Sequence, residues 1–307
     1  MASTQQIKAR IKSVKNTKQI TKAMELVSAS KMRRAQEATL ASRDYTLTAR
    51  QILTRLRELT DVTKHPLFVE RTVRNRILIV ITSDRGLAGA YNANVLRRLT
   101  NELQTDKESG VSTELILVGK QASRFAAKIA DLAVLGTYNS LPEQPTIADL
   151  APILQTVKDA FVPKVISEQT NESEKSIKKT IEPITDAVDV LYTDYKSSVV
   201  QEVTMLRLLP AAFEGVRTSD QLGLALFEPS AKSVLNAVAD RLVDVQLWQA
   251  FLESQASEQS ARMMAMKTAS DNAGELIDDL TLAANTARQA AITQELAEIT
   301  GGAEAIR

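Results

Sequence analysis

The 307-residue chain has no cysteine and one histidine. The first absence excludes a disulfide scaffold, a thiolate nucleophile, an iron–sulfur cluster and a cysteine-ligated zinc. The second excludes a multi-histidine metal site. Proline and glycine are confined rather than scarce. All 8 prolines lie between Pro66 and Pro229, and 7 of the 10 glycines between Gly86 and Gly223. The first 65 residues have neither, and the 71 residues after Pro229 hold only Gly274. No apolar run approaches roughly 18 residues, so no membrane-spanning helix is expected. The N-terminus lacks the apolar stretch of a secretory signal. Its basic, hydroxylated pattern continues without a cleavage-like break, so no transit peptide is expected either. A net charge of +1 argues against a protein that is basic overall.

The breaker-free ends read as long helices. Ser3 and Thr4 offer capping oxygens ahead of Ile7, Ile11 and Val14, followed by Ile20, Met24 and Val27, with Ala, Gln, Arg and Lys between them. This predicts a helix from Thr4 to Leu59, about 84 Å long. Ser230 is a candidate cap for a second helix, running to Thr300 and about 106 Å long. Its first part is broadly apolar, from Val234 to Leu252, and its later part is rich in alanine. Helices this long exceed the globular norm and need a partner along their length. Residues 1–34 hold nine basic residues against Glu25, and residues 253–307 hold nine acids against four basic residues. A pair of these helices would be charge-matched, which sets orientation more than stability. The apolar heptads are imperfect, which predicts a loose coiled coil.

The middle reads as a small α/β domain. Arg76–Thr82, Leu115–Val118 and Val188–Tyr192 are candidate buried strands, Leu132–Leu135 a short one, and Val199–Leu209 a strand ending at Pro210. Helices are expected over Asn94–Leu103 and Ala122–Ile129, and within Thr146–Val165, there either crossing Pro152 or starting after it. The polar stretch 167–179 reads as an exposed loop or insertion. The resulting organisation is 1–60 helix, 61–229 α/β domain and 230–307 helix, with the sheet largely parallel and Rossmann-like.

The residues leave several functions open. The turn Ser83–Gly89 after a buried strand invites a nucleotide site, yet only G-x-x-G stands there, without G-x-G-x-x-G or a phosphate-loop pattern. Arg85 is placed to meet an external carboxylate, or Asp84 and Arg85 simply stabilise the turn. His65 precedes a proline and reads as a capping or surface residue. The basic N-terminal helix could bind nucleic acid, although the acidic C-terminal segment would neutralise it. A helical hairpin with merely solvated charged faces is the plain alternative to a rod that enters something else.

Three groups of residues carry a resemblance. They are Ile7–Thr17 with Ile20–Val27 and Ala29–Gln36; Ser83–Gly89; and Ala256–Glu258, Ala261–Met263, Ala265–Met266, Asn272–Ala273, Asn285, Ala287–Leu296 and Glu298–Ile299. In this order they resemble the gamma subunit of F-type ATP synthases, most weakly between 142 and 223. The resemblance implies a non-catalytic subunit without a cofactor, built as an antiparallel coiled coil with a central α/β domain. It implies a rotor shaft inside a ring of three alpha and three beta subunits, joined through the epsilon subunit to the membrane c ring. It implies a peripheral place on the cytoplasmic face of a bacterial cell membrane and no nucleic-acid partner. Arg288 and Gln289 match positions that hydrogen-bond a beta-subunit loop. Arg85 matches a lower beta-subunit contact, Met24 a position facing the beta-subunit acidic lever, and Arg262, Thr293 and Glu295 positions implicated in coupling. Phe227 and Glu228 match the foot that meets the c ring or epsilon, with Ala225 where an aromatic is common. Ala88 stands where cysteine is common, and the cysteine pair of thiol-regulated relatives is missing.

Overall fold

The computed structural model describes residues 4–59, 61, 65–129, 132–143, 145–167, 178–181, 183–211, 227–228 and 230–304. Where breakers are missing, the chain is helical without interruption. Helix α1 runs Thr4–Leu59 and α5 runs Ala231–Glu304. Ser230 Oγ accepts the Ser233 N–H at 3.2 Å, the expected cap. Between them lie β1 (Asn75–Ile81), α2 (Tyr91–Ser109), β2 (Ser112–Val118), α3 (Lys120–Ala126), β3 (Ala133–Tyr138), α4 (Ile147–Phe161), β4 (Lys164–Ser167), β5 (Lys178–Ile181), β6 (Ala187–Tyr195) and β7 (Gln201–Leu209).

The chain forms two compact units, residues 31–261 and residues 1–30 with 262–307. In the first, five strands form one sheet in the order β3-β2-β1-β6-β7. β1 pairs in parallel with β2 and β6, β2 in parallel with β3, and β7 lies antiparallel to β6 at the edge. The continuous apolar run of β1 fits a strand covered on both faces. Alternate residues divide between the two sides. Ile77, Ile79 and Ile81 join a core with Ile153, Val157 and Phe161 of α4 and with Leu242, Val243 and Leu247 of α5. Leu78 and Val80 join Val95 and Leu99 of α2 and Ala122 of α3.

Local differences from expectation have physical causes. Helix α2 starts before Asn94 and passes Leu103, ending only at Gly110, whose φ of 71° suits a residue without Cβ. Helix α3 is shorter than expected. Helix α4 crosses Pro152, because its first turn is secured by Asp149, whose carboxylate accepts both the Thr146 N–H and hydroxyl at 2.7 Å. Those donors hold the Asp149 pKa below the usual carboxylate range. At the edges of the polar stretch, Ser167 and Lys178–Lys179 belong to the β4–β5 pair, while 168–177 lie outside the described residues.

His65 opens a short 3₁₀ turn, Pro66–Phe68, whose Leu67 and Phe68 are buried. Its Nδ1 accepts the Leu67 N–H at 3.3 Å, which only the neutral ring can do. Burial, the largest cause, pushes its pKa below the ordinary value, with Asp240 and Asn236 partly opposing. The unfolded chain thus takes up this proton more readily than the folded one. The associated stability is complete above the ordinary value of about 6.5 and is lost as pH falls toward the folded pKa. His65→Asn keeps a side-chain acceptor but does not titrate, so it should flatten this acid limb. Urea titrations at about pH 7.5 and about pH 5.5 check this, and an unchanged pH dependence overturns it.

In the unit formed by 1–30 and 262–307, the heptad is stricter than the apolar residues suggested. On α1 the buried and half-buried positions include Ile7, Ile11, Val14, Thr21, Glu25 and Ser28. On α5 they run Met266, Ser270, Ala273, Ile277, Leu280, Ala284 and Ala287. These steps alternate between three and four residues, apart from the exposed seam position Lys18. The expectation of a loose pairing failed because the large apolar residues share the seam with small and hydroxylated ones, Thr21, Ser28, Ser270, Ala273, Ala284 and Ala287. Their backbones can approach closely, and Thr21 satisfies its hydroxyl on Lys18 O at 3.0 Å. Lys18 Nζ lies 2.8 Å from where a Cβ on Gly274 would stand. Burial on α5 fades after Ala287, about as far beyond Gly274 as Thr4 lies before Lys18, so the helices run antiparallel.

Candidate functional site

The carboxyl ends of the parallel strands are the natural ligand crevice of such a sheet. There Thr82 Oγ1 donates to Val118 O and accepts the Ala122 N–H, both at 3.0 Å. Ser83 N–H donates to Asn92 Oδ1 at 3.1 Å, and Ser83 Oγ donates to Arg85 O at 2.7 Å. Asp84 Oδ1 accepts the N–H groups of Lys120, at 3.0 Å, and Ser140, at 3.2 Å. The amide at the start of α3 that a phosphate would need is therefore engaged by an internal carboxylate, which would also repel the anion. Among the described residues, no group of His, Asp and Glu is arranged to hold a metal. This geometry does not favour the nucleotide-site alternative.

The same bonds make the turn a display. Ala88 is buried, while Leu87 takes a left-handed φ of 63° and is 64% exposed. A branched side chain in that conformation is strained by about 1 kcal/mol or more. Arg85 is exposed beside it.

A polar row joins α2 and β6 to α5. Tyr91 OH and Ser254 Oγ lie 2.7 Å apart, and Tyr192 OH donates to Glu253 Oε2 at 3.1 Å. Glu253 Oε1 accepts from Gln249 Nε2 at 3.0 Å. Desolvation first, then the Glu253 charge, drives the Tyr192 pKa far up, so its phenol remains a donor. These partners are distant in sequence, and isolated Ser and Glu in a helix give no signal of them.

The other expected positions are scattered. Met24 is half-buried beside the α1 seam. Arg262 is buried, 8% exposed. Arg288, Gln289, Thr293 and Glu295 are exposed on α5, with Thr293 Oγ1 donating to Gln289 O at 2.9 Å. Phe227 packs against the core of the α/β unit, whereas Glu228 is exposed. On α1, Lys22–Glu25 and Arg33–Glu37 pair within the helix, both at 3.0 Å, and Lys31 reaches Glu143 at 2.9 Å. Residues 288–301 are exposed, and Ile292, Leu296 and Ile299 form a bare apolar stripe there. Composition had shown few large apolar residues near this end. It did not show that they share one face.

Two very long helices, paired in the unit of residues 1–30 and 262–307, and a five-stranded, largely parallel α/β sheet define the class: a long helical pair carried together with an α/β domain. The chain belongs to the ATP synthase gamma-chain family: the family model described as ATP synthase matches residues 3–306. The ATP synthase gamma chain of Stenotrophomonas maltophilia strain R551-3 is 37% identical over 307 residues, covering 100% of both chains. That of Herpetosiphon aurantiacus is 40% identical over 312 residues, covering 100% of this chain and 99% of the relative. Among solved structures, a chain of the Euglena gracilis mitochondrial ATP synthase, in its OSCP/F1/c-ring assembly, aligns over 99% of this chain and 94% of its own. Its TM-score is 0.65 and its identity 18%. A chain from the central stalk and c ring of the Tetrahymena thermophila mitochondrial enzyme aligns with a TM-score of 0.58 and 24% identity, over 82% of this chain and 99% of its own. Both support the fold.

Proposed function

We propose that this chain is the central rotor shaft of a proton-translocating F-type ATP synthase. It is non-catalytic: it couples rotation of the c ring to the conformational cycle of the beta subunits, for ATP synthesis or hydrolysis. Its partners are the alpha and beta subunits, epsilon and the c ring. No helix among the described residues is long and apolar enough to cross a membrane. The chain attaches peripherally, through its partners, at the cytoplasmic face of a bacterial cell membrane.

The observation that carries this reading is the far end of α5. Beyond the level where α1 begins, its residues are exposed, with Ile292 50%, Leu296 58% and Ile299 68% exposed. A bare apolar helix end is a liability unless an apolar sleeve encloses it. An asymmetric rod inside a ring touches each beta subunit differently. A partner that binds one conformation better shifts that subunit toward it.

In this reading Arg288 and Gln289 hydrogen-bond a beta-subunit loop, and Arg85 meets a beta-subunit carboxylate lower down. Met24 faces the acidic lever, and Thr293 and Glu295 serve coupling from the exposed end. Arg262, being buried, acts by holding the helical pair. Glu228 faces the c ring or epsilon, and Phe227 anchors that segment to the core.

Affinity purification of the full chain from cells carrying the operon tests the assembly. Alpha, beta and epsilon chains in stoichiometric amounts are expected, and a chain that purifies alone overturns the reading. Arg288→Ala combined with Gln289→Ala should slow ATP hydrolysis by the assembled complex about tenfold or more, as expected for charge-assisted contacts worth about 1.5–3 kcal/mol. Thermal unfolding of the chain should not change, because both side chains are exposed. An unchanged rate removes the contact.

A further inference from the structure

We propose that a hydrogen-bonded bracket at the tip of the β6–β7 hairpin keys both long helices to the sheet in one rotational phase. Torque on the α/β unit then reaches the helices without slip. This rests on the rotor reading above.

The tip is closed by its own hydrogen bonds. Ser197 N–H donates to Val200 O at 3.0 Å, and Ser197 Oγ accepts the N–H groups of Val199 and Val200, at 3.3 and 3.0 Å. From α1, Gln36 Nε2 donates to Tyr195 OH, which lies 3.2 Å from Ser198 Oγ. From α5, Ser260 Oγ donates to Ser198 O at 2.8 Å. Gln201 Nε2 closes the bracket, donating to Ser198 O and to Ser260 Oγ, both at 3.2 Å. One hairpin tip thus holds a side chain from each helix.

Its place along α5 matters. From Leu235 to Leu252 the buried face of the helix is apolar, and between Glu253 and Ser260 it makes hydrogen bonds to Tyr91 of α2, Tyr192 of β6 and Ser198 of the hairpin tip. Apolar packing is non-directional and tolerates small rotations. Hydrogen bonds weaken steeply with misalignment. Turning α5 by one residue, about 100°, would remove Ser260 from Ser198 and leave its buried hydroxyl without a partner. Gln36, Tyr195, Ser198, Gln201 and Ser260 are therefore positioning residues. They touch no reacting group but hold the angle at which force is delivered.

The test uses the complete ATP synthase in inverted membrane vesicles, carrying Tyr195→Phe with Ser260→Ala. Each lost neutral hydrogen bond shifts the closed-to-open ratio of the bracket about fivefold. ATP-driven proton pumping per ATP hydrolysed should fall at least about twofold, with ATP hydrolysis and the thermal midpoint close to those of the parent. Hydrogen exchange at the Val199 and Val200 amides should quicken. Should the double variant fail to assemble, Tyr195→Phe alone carries the same readouts. A pumping-to-hydrolysis ratio equal to the parent's, or a lowered midpoint with a normal ratio, overturns the proposal and leaves the rotor reading intact. If vesicles with the unaltered chain hydrolyse ATP but pump no protons, the rotor reading fails, and the bracket proposal with it.

Discussion

Gly119→Ala is expected to destabilise the α/β unit by about 3–5 kcal/mol, from backbone strain and overpacking together. Gly119 sits between β2 and α3 with φ 92°, a conformation that side-chain-bearing residues rarely adopt. An added Cβ would lie 2.2 Å from Thr82 O, 2.7 Å from Thr82 C and 2.9 Å from Thr82 Oγ1. The obstacle is mainly backbone and cannot rotate away. Thr82 is itself held, since its N–H bonds Val118 O at 2.9 Å and its hydroxyl bridges Val118 O and the Ala122 N–H. Relief would therefore pull β1 from β2 and shift the turn that presents Arg85. A loss of this size is a large share of the 5–15 kcal/mol typical of a domain. Urea unfolding measures it. Gly86→Ala is the control, because no atom lies within 4 Å of its added Cβ, and it should be nearly neutral. A loss under about 1 kcal/mol for Gly119→Ala would falsify the account.

Arg76→Met should cost about 3–5 kcal/mol, although methionine fills similar space. Arg76 is 7% exposed and pairs through Nη2 with Asp106, and through Nη1 with Asp189 Oδ2 at 3.5 Å. Glu102 Oε2 lies 3.8 Å away. Asp189 is 1% exposed and is also bonded by Arg207 from β7. Removing the cation leaves buried carboxylates facing one another, which is why breaking such a network costs more than replacing it entirely. Arg76→Met combined with Asp106→Asn should recover part of the loss, and a double-mutant cycle on unfolding free energies measures the coupling. Strictly additive losses would sink the claim that these charges form one network.

The two examples differ in how far they could be read beforehand. The helices over Thr4–Leu59 and from Ser230 to Thr300 were legible because missing proline and glycine act locally, on the dihedral angles of the residue itself, whereas the second helix continues through Gly301 and Gly302 to Glu304. The central strands were legible for a similar reason, since a strand covered on both faces must be apolar at every step. Arg76 opens one such run, and Asp189 interrupts another. Nothing in either segment shows that β1 and β6 become parallel neighbours with these two charges beside each other. The seam of the long helices was misjudged for a related reason. Thr21, Ser28 and Ser270 carry no apolar signal, yet close backbone approach buries them.

The candidate contact residues were legible chiefly through resemblance, and their environments were not. Arg262 and Thr293 look alike as polar residues on one helix, but one is buried and the other exposed. Asp84 and Arg85 are neighbours in one turn. Only the fold turns Asp84 inward onto Lys120 and Ser140 while the Arg85 side chain is exposed.

By itself, the sequence determined the two long helices and the apolar runs of β1, β2 and β6, and it ruled out thiol and multi-histidine metal chemistry, because those properties depend on residue type and near neighbours. Tertiary structure alone decided which charges meet, which hydroxyls are buried and which faces stay bare. Those depend on residues far apart in the chain, Gln36 and Tyr195 or Arg76 and Asp189, being brought within hydrogen-bonding or ion-pairing distance by packing.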